Sequence, residues 1–306
     1  MPRVSIGLPV YNGEAYLDLA LRSLLAQTFG DFEILISDNA SSDRTAEICQ
    51  EYARRDSRIR YVRAAENLGA ARNYNRVFEM SSGAYFKWAA HDDVCHPEFI
   101  ASCVRELDEN QSAVLAYPRT AIIDAAGNYV ERYEVQLRTD SPACYERFHA
   151  LTRGHQCYEV FGVIRHAALR AVAPLGAHFG ADAVLLARLA LMGRFIEIPH
   201  CFFQRRAHQA ASESLRSDLN SYAKWWSGPG GNGLTLPYWR LGLEFAKAVR
   251  RAAIGTSAKA RCYVSVGGWY RRRLRFLSRD LVRAARQLVA KAAYVRRTRD
   301  SRRGNP

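Results

Sequence analysis

Short apolar runs alternate with helix-patterned segments through the N-terminal part of the chain. Val4–Val10 is an apolar-rich run that predicts a buried strand, and the leucines of 17–25 recur at helical spacing. The alternation then repeats, which predicts further strands at Phe32–Ile36, Ile59–Val62, Tyr85–Trp88 and Ala113–Tyr117. Alternating strands and helices are typical of βαβ units, so the predicted fold class is α/β with a mainly parallel sheet flanked by helices.

The pattern changes after the fifth predicted strand. Two short strands flank Ala125–Asn128, a turn-forming run, and they predict that the sheet continues with mixed pairing. Apolar residues at helical spacing predict a helix at Ala181–Met192. Phe195–Ile198 and Cys201–Gln204, on either side of Pro199, are predicted as two further strands.

A glycine-rich run, SGPGGNG at residues 227–233, is the clearest linker signal in the chain. Beyond it, helical patterns cover Tyr238–Ala253 and Ala258–Ala293, and the final residues are polar. We therefore predict an α/β domain over residues 1–226, a linker over 227–235, a basic helical extension over 236–295 and a disordered tail over 296–306.

The net charge of +14 belongs to the C-terminal part of the chain. Residues 240–306 contain 19 Lys and Arg against 3 Asp and Glu, whereas residues 1–239 contain 25 against 27. Such asymmetry predicts an anionic partner for the tail. The amphipathic, Arg-rich stretch from Arg271 is typical of a helix on an anionic membrane surface, and equally of a helix packed on the main domain with a solvated basic face. Because no nucleic-acid-binding motif accompanies the charge, nucleic acid is not an expected partner.

The cysteines and the apolar runs indicate the cellular compartment of the protein. The seven cysteines are scattered without a CxxC pair, which favours reduced thiols over a zinc knuckle or a disulfide framework. The N-terminal apolar run is too short for a signal peptide, and no uncharged apolar run approaches the ~18 residues of a spanning helix. We expect a cytoplasmic protein, with the basic tail as a means of peripheral attachment to the inner face of the cell membrane.

Four polar clusters follow predicted strands, each at the carboxyl end of its strand. Ligands of open parallel sheets bind outside these ends, so the clusters are predicted to meet in one crevice. The clusters are Pro9–Glu14, which includes Tyr11 and Asn12; Asp38–Asp43; Asn67–Gly69 together with Arg72; and His91–Asp93.

The chemistry of these clusters suits a nucleoside-diphosphate sugar. Tyr11 and Asp38 can supply the stacking and the hydrogen bonds that a base needs, and Arg72 can face the diphosphate. Asp92 and Asp93 would repel that diphosphate unless a divalent cation lies between them, and oxygen ligands of this kind bind Mg²⁺ or Mn²⁺. Structural interpretations compete: Tyr11 can pack, Asp38 can cap a helix, and Arg72 can be a solvated charge.

Four runs resemble the family 2 glycosyltransferases, which have the GT-A fold. They are VSIGLPVYNGEAYLDLALRSLLAQTF, FEILISDNASSDRT, ENLGAARN and YFKWAAHDD, and the resemblance extends in order from residue 3 to about residue 206. The resemblance implies one nucleotide-binding domain with a mixed central sheet. It also implies site roles: a nucleoside pocket lined by Pro9, Tyr11, Glu14 and Asp38, an Arg72 near the donor, and a DxD-like metal site at Asp92 and Asp93. We place Asn12 and Asn67 in the same donor site.

Two further roles come from the resemblance. Inverting members of the family use a carboxylate as general base at the start of a late helix, and Asp182 occupies that place here, after Ala181 where the family has Glu. A histidine near His208 can reach the metal in the family, which implies a metal role for His208. The alternative for Asp182 is a helix N-terminal residue favoured by the macrodipole. The metal motif also departs from the family pattern, because Ala90 replaces its first carboxylate.

The predicted function is transfer of a sugar from a nucleotide donor to a hydroxyl of a glycan or lipid-linked acceptor, with inversion and a cell-surface polysaccharide context implied by the resemblance alone. Ala90 and Ala181 support a different hypothesis, a non-catalytic homologue that binds nucleotide sugars. A sugar nucleotidyltransferase is disfavoured, because it would need a Gly-rich basic loop after the first strand, where LPVYNGEAY has one glycine and no Lys or Arg.

Overall fold

The structure, a computed structural model, describes residues 1–209, 219–228 and 236–303. The strands within these ranges belong to a single mixed sheet. They are β1 (Val4–Val10), β2 (Phe32–Asp38), β3 (Ile59–Arg63), β4 (Tyr85–Trp88), β5 (Val94–Cys95), β6 (Ala113–Ile123), β7 (Tyr129–Arg132), β8 (Val163–Arg165) and β9 (Arg194–Arg206). Their order is β3-β2-β1-β4-β8-β6-β9-β5, with β7 paired to the free side of β6's C-terminal half.

Most of the paired residues in the sheet belong to parallel strand pairs, which confirms the predicted fold class. β3, β2, β1 and β4 are parallel neighbours, and β6 pairs in parallel with β9. β8, β5 and β7 pair with their neighbours in the antiparallel sense. The β6–β7 hairpin around Asp124–Asn128 supplies the mixed extension that the turn signal predicts.

β9 is one strand where the sequence predicts two. Its pairing with β6 is interrupted between Ile198 and Phe203, so the chain bulges out of register there. Pro199 falls in this interrupted stretch, where a residue without a backbone N–H costs no ladder hydrogen bond. The expectation of two separate strands around Pro199 was therefore wrong, because a proline is compatible with a bulge inside a strand.

Helices flank the sheet and extend beyond it. They are α1 (Leu17–Leu25), α2 (Thr45–Arg55), α3 (Ala70–Glu79), α4 (Phe99–Glu109), α5 (Cys144–Thr152), α6 (His166–Val172), α7 (Ala181–Met192), α8 (Leu219–Ser227), α9 (Pro237–Arg251), α10 (Thr256–Arg272) and α11 (Leu274–Arg303), with a 3-10 helix at Tyr158–Phe161.

The C-terminal helices differ in their bounds from the prediction. The single helix predicted at Ala258–Ala293 is divided into α10 and α11 at Arg273. The backbone of α11 continues as a helix to Arg303, into the segment predicted to be disordered. Most of the predicted linker, residues 229–235, lies outside the described residues.

The two faces of the sheet bury separate apolar clusters. On one face, Val4, Ile6 and Leu8 of β1 pack with residues of α1 and α4. On the other face, Phe86 and Trp88 of β4 pack with residues of α3 and α7. Successive strand residues point to opposite sides of a sheet, so alternate residues of β1 share one face and alternate residues of β4 share the other.

The helical extension packs on the α/β domain through a third cluster. Phe245 and Val249 of α9 and Trp269 of α10 are buried against Phe148 of α5 and Val184 of α7. Burial of side chains of this size stabilises the contact by roughly 1.5–3 kcal/mol each. None of the described helices is both long enough and apolar enough to cross a bilayer.

Candidate functional site

The loops that follow β1, β2 and β4 meet at one edge of the sheet. Val10 at the end of β1 lies opposite Asp38 at the end of β2, and the Asn39 N–H donates to the Val10 carbonyl at 2.9 Å. β4 lies on the other side of β1, with Trp88 opposite Gly7, so the chain after Trp88 enters the same region. The parallel pairing therefore brings together three of the polar clusters that the sequence singles out.

Asp38 is fully buried beneath this edge, and protein donors surround its carboxylate. Oδ1 accepts the Ser41 N–H at 2.8 Å, Oδ2 accepts the Tyr61 hydroxyl at 2.9 Å, and Arg63 Nε lies 3.2 Å from Oδ2 in an ion pair. Tyr61 and Arg63 come from β3, which pairs with β2 along this stretch. These contacts fix the path of the loop that carries Asn39.

Asn12 and Glu14 tie the first loop to the second. The Asn12 side-chain oxygen accepts the Ser42 N–H at 2.9 Å, and Glu14 Oε2 accepts the Arg44 N–H at 3.0 Å. Asn12 has a φ of 50°, a conformation that asparagine adopts more readily than most residues. Asn12 also lines the large cleft described below, whereas Glu14 is exposed beside it.

A small pocket of about 80 Å³ lies between these loops and α3. Pro9 and Tyr11 line one side of it, and Asn39 and Asn67 line another. Asn39 Nδ2 donates to Asn67 Oδ1 at 2.8 Å, and Asn39 Oδ1 accepts the Leu68 N–H at 2.8 Å. Sequence reasoning missed Asn39, since its bond to Asn67 depends on the pairing of the two loops.

Arg72 is placed apart from this pocket. Its side chain lies on the exposed side of α3, while Asn73 and Ala70 face inward. Asn73 is buried, accepts the Ser37 hydroxyl at 2.6 Å and donates to the Ser37 carbonyl at 2.9 Å. The structure thus groups Pro9, Tyr11 and Asn67 and leaves Arg72 outside the lining.

A cleft of about 960 Å³ adjoins the small pocket, and Tyr11 and His91 line both. Asp92, Asp93, Asp182 and His208 all line this cleft. These residues come from the β4 loop, the start of α7 and the end of β9, which are distant in sequence. The predicted metal and base residues therefore share one cavity.

His208 and Arg206 hold the two aspartates of the β4 loop. His208 Nε2 lies 2.9 Å from Asp92 Oδ2, and the Arg206 N–H donates to Asp93 Oδ1 at 2.9 Å. Arg206 Nε also donates to the Asp92 carbonyl at 2.9 Å, and the Arg206 side chain is almost fully buried. The pairing of β5 with β9 brings these residues opposite one another.

The two neighbouring carboxylates differ in their electrostatics. Burial raises the pKa of Asp92, but the His208 hydrogen bond and the nearby His91 outweigh it and lower that pKa below its usual value. Burial and the Asp92 charge raise the pKa of Asp93 well above its usual value, and Arg206 offsets only part of this. Adjacent buried carboxylates repel each other when both are ionised, which explains the difference.

Asp92, Asp93 and His208 carry donor atoms that a divalent cation accepts, but they do not form a metal site by themselves. Asp92 and Asp93 offer carboxylate oxygens and His208 offers an imidazole nitrogen, and Mn²⁺ and Mg²⁺ accept oxygen ligands with water and phosphate completing the shell. Across residues 1–209, 219–228 and 236–303, no three His, Cys, Asp or Glu side chains are grouped closely enough to hold a metal by themselves. Oxygens of a bound diphosphate would have to supply the remaining ligands.

Asp182 lies in the first turn of α7. Gly180 precedes this helix with a φ of 70°, and a Cβ there would lie 2.9 Å from Leu241, so a glycine suits both the backbone and the packing. Burial raises the pKa of Tyr74, and the charges of Asp92, Asp93 and Asp182 raise it further. One partly buried tyrosine is thus within electrostatic reach of all three carboxylates.

α8 contributes an aromatic wall that sequence reasoning did not assign to the site. Tyr222, Trp225 and Trp226 line the cleft, and Trp225 also lines the small pocket. Trp226 Nε1 donates to the Gly176 carbonyl at 2.9 Å, which anchors α8 to the domain. The sequence signal that could have indicated this wall is the density of aromatic residues in 222–226.

The sequence of the chain matches a family model and known relatives. The model of Glycosyl transferase family 2 matches residues 5–177. An uncharacterized glycosyltransferase of Bacillus subtilis (strain 168), EpsJ, is 35% identical over 111 residues, which are 36% of this chain and 32% of EpsJ. The chain thus spans about a third of the length of that relative.

Two solved structures share the fold. The crystal structure of S. aureus TarS 1–349 in complex with UDP-GlcNAc has a TM-score of 0.64 at 17% identity and covers 88% of this chain and 72% of that chain. The mannosyltransferase PcManGT from Pyrobaculum calidifontis, in complex with GDP-Man and Mn²⁺, has a TM-score of 0.51 at 16% identity and covers 93% of this chain and 86% of that chain. At these identities the likeness shows the fold alone.

Proposed function

Because the chain belongs to glycosyl transferase family 2, we propose that it transfers a sugar from a nucleoside-diphosphate sugar to a hydroxyl of a glycan or lipid-linked acceptor, with inversion, in the synthesis of a cell-surface polysaccharide. One observation carries the proposal: three aspartates and a histidine from separate parts of the chain, Asp92, Asp93, Asp182 and His208, line one cleft that adjoins the small pocket between the loops.

The nucleoside of the donor is proposed to bind at the small pocket. Tyr11 offers a ring face, and Asn39 and Asn67 offer amide groups for the edge of a base. Asn12 and Glu14 act by holding the first loop to the second, since their side chains accept hydrogen bonds from Ser42 and Arg44. Asp38 acts by holding its own loop, since its side chain accepts the Ser41 N–H. In this proposal Arg72 contributes charge from the rim of the site.

The diphosphate is proposed to lie beside Asp92 and Asp93, with Mn²⁺ or Mg²⁺ between them. Asp92, Asp93 and His208 would hold the cation, and the cation would neutralise charge that develops on the departing diphosphate. Arg206 keeps the two aspartates in position through its backbone and side-chain hydrogen bonds. The Mn²⁺ bound to a protein of the same fold, PcManGT, is consistent with this choice of metal.

Asp182 is proposed as the general base. Its carboxylate would take the proton of the acceptor hydroxyl as that oxygen bonds to the anomeric carbon, and the bond from the anomeric carbon to the diphosphate breaks. The position of Asp182 on the wall of the cleft supports this role.

The basic tail is proposed to bind an anionic membrane surface, which would place the protein at the inner face of the cell membrane. Leu281, Val282, Leu288 and Val289 of α11 are each more than half exposed and lie among exposed arginines. Replacing Leu281 and Leu288 with serine is expected to reduce cosedimentation with anionic phosphatidylglycerol vesicles. Equal cosedimentation of the variant would remove the membrane proposal and leave the donor site untouched.

Turnover of a nucleotide sugar tests the proposed activity. UDP- and GDP-sugars are incubated with the protein and Mn²⁺, and release of the nucleoside diphosphate is followed with and without added glycan acceptors. Metal-dependent release from at least one donor is expected. Tight binding of a donor without any release, with or without acceptor, would favour the non-catalytic homologue for which Ala90 and Ala181 argue.

A further inference from the structure

A third cavity, of about 210 Å³, is lined by Asp182 and by residues of the helical extension. Asp182, Cys157 and Tyr222 line both this cavity and the large cleft, so the two spaces meet at the proposed base. The other walls come from the chain after α5 and from α9 and α10. We call this space the Arg273 cavity, after the cation described next.

Arg273, at the junction of α10 and α11, supplies positive charge to the cavity. A Cβ at Gly154 would lie 2.6 Å from Arg273 Nη2, and Gly154 has a φ of 103°. Glycine at this position therefore leaves the space that the guanidinium occupies. The division of the predicted long helix at Arg273 is what brings this side chain against Gly154.

Three exposed arginines lie near Arg273 without lining the cavity: Arg271 and Arg272 precede it in the chain, and Arg153 precedes Gly154. Burial lowers the pKa of Arg272, and the charges of Arg153, Arg273 and Arg271 lower it further. Among the described residues, no carboxylate lies within ion-pair distance of any of these four arginines. Positive charge without a carboxylate partner attracts an anion and raises its local concentration.

Aromatic rings form part of the remaining walls. Phe179, Tyr238 and Trp269 line the cavity, and their rings offer flat apolar surfaces on which the C–H face of a sugar ring or an apolar chain can pack. A cavity lined by one carboxylate, by aromatic rings and by Arg273, with further arginines nearby, suits an amphipathic ligand with an anionic group.

We propose that the Arg273 cavity is the acceptor subsite and that the acceptor carries a phosphate. Arg273 binds the phosphate through its planar guanidinium, and the acceptor hydroxyl lies beside Asp182. Four clustered arginines favour phosphate over carboxylate, because phosphate carries nearly two negative charges near neutral pH. This inference rests on the proposed function and names the class of its acceptor.

Binding of phosphorylated probes tests the inference. The affinities of glucose 1-phosphate and methyl glucoside, and of geranyl phosphate and geraniol, are measured for the full chain by calorimetry, with nucleoside diphosphate and Mn²⁺ also present. We expect the phosphorylated member of at least one pair to bind about tenfold more tightly than its neutral counterpart. A preference in the sugar pair alone assigns a sugar phosphate, one in the geranyl pair alone assigns a lipid phosphate, and one in both assigns recognition of the phosphate itself.

Substitution of Arg273 separates this subsite from the donor site. Arg273→Gln should remove the preference for phosphate and leave nucleoside diphosphate affinity unchanged, whereas Arg279→Gln, which removes an exposed arginine of α11, should change neither. Melting temperatures check folding; should Arg273→Gln fail to fold, Arg273→Lys is expected to keep the charge and lose part of the preference. Absence of any phosphate preference, or a preference that survives the loss of Arg273, overturns the inference. Failure of nucleotide binding in the unsubstituted protein would instead overturn the proposed function.

Discussion

His208 Nε2 lies 2.9 Å from Asp92 Oδ2 and so joins the end of β9 to the loop after β4. The two residues are 116 positions apart in the chain, and both side chains are mostly buried. His208 also packs on Tyr16, with ring centroids 4.9 Å apart, so its imidazole is held from two sides. The proposed metal site therefore depends on a contact between two distant segments.

Removal of the His208 imidazole should weaken metal-dependent donor binding. His208→Ala deletes one candidate ligand and the hydrogen bond that orients Asp92, and loss of such support typically costs ~10–100-fold in metal affinity. The measurement is calorimetric titration of Mn²⁺ into the protein with its nucleotide sugar. His200→Ala is the matched control, because His200 is exposed and stacks on Phe202 away from the cleft. Unchanged Mn²⁺ affinity in His208→Ala would exclude His208 from the site.

Replacement of the proposed base should separate binding from turnover. Asp182→Asn keeps the size of the side chain but removes its ability to accept a proton, so turnover should fall by ~10²–10⁴ while donor affinity stays the same. Initial rates of nucleoside diphosphate release and donor titrations are compared with those of Asp31→Asn, an exposed aspartate outside the cleft. Near-normal turnover of Asp182→Asn would assign the base to another residue.

The buried Asp38 carboxylate should depend on its tyrosine for stability. Tyr61→Phe removes the hydroxyl that donates to Asp38 Oδ2 at 2.9 Å and leaves part of a buried acceptor without a partner. The free energy of unfolding should fall by about 1–3 kcal/mol. Denaturant unfolding is measured beside Tyr129→Phe, whose ring is largely exposed. Equal stabilities of the two variants would show that the Tyr61 hydrogen bond contributes nothing.

A buried histidine–glutamate pair should make stability depend on pH. His155 Nδ1 lies 3.1 Å from Glu159 Oε2. Burial lowers the pKa of His155, but the contact with Glu159 outweighs it and raises that pKa above its ordinary 6.5. The protonated imidazole is thus favoured in the folded state, so the pair stabilises the protein fully below pH 6.5 and loses this effect as the pH rises through the raised folded-state pKa.

Glu159→Gln tests this dependence. Its destabilisation relative to the unsubstituted protein should be larger at about pH 6 than at about pH 8.5, because only the protonated histidine benefits from the carboxylate charge. Unfolding free energies at both pH values are compared with those of Glu131→Gln, an exposed residue of β7. A destabilisation by Glu159→Gln that becomes larger as the pH rises would contradict this prediction.

The elements that the sequence predicts well are those with dense and regular apolar patterns. β1 and α7 have the predicted bounds, because one is an unbroken buried run and the other ends at a glycine after a regular helical pattern. The break at Arg273 was not predictable, since RRRLRF contains neither glycine nor proline and arginine is a good helix former.

The site was only partly accessible to sequence reasoning. Polar residues after parallel strands were predicted to converge, and Tyr11, Asn12 and Asp92 do line one cleft. Asp182 lines the same cleft, but its proposed role came from the resemblance to the family. Tyr61 and Arg63, which contact Asp38, come from β3, and Asn67, which contacts Asn39, comes from another loop. These contacts depend on strand register, which a local pattern does not specify. Roles that come from tertiary pairing, such as that of Arg206, left no motif in the sequence.

Calorimetric titration of UDP- and GDP-sugars with and without Mn²⁺ tests the central claim most directly. The account predicts that at least one donor binds about tenfold or more tightly with Mn²⁺, and that joint replacement of Asp92 and Asp93 by alanine removes this gain. The result that would contradict it is a donor affinity that Mn²⁺ leaves unchanged in the unsubstituted protein, or a gain that persists after both carboxylates are gone.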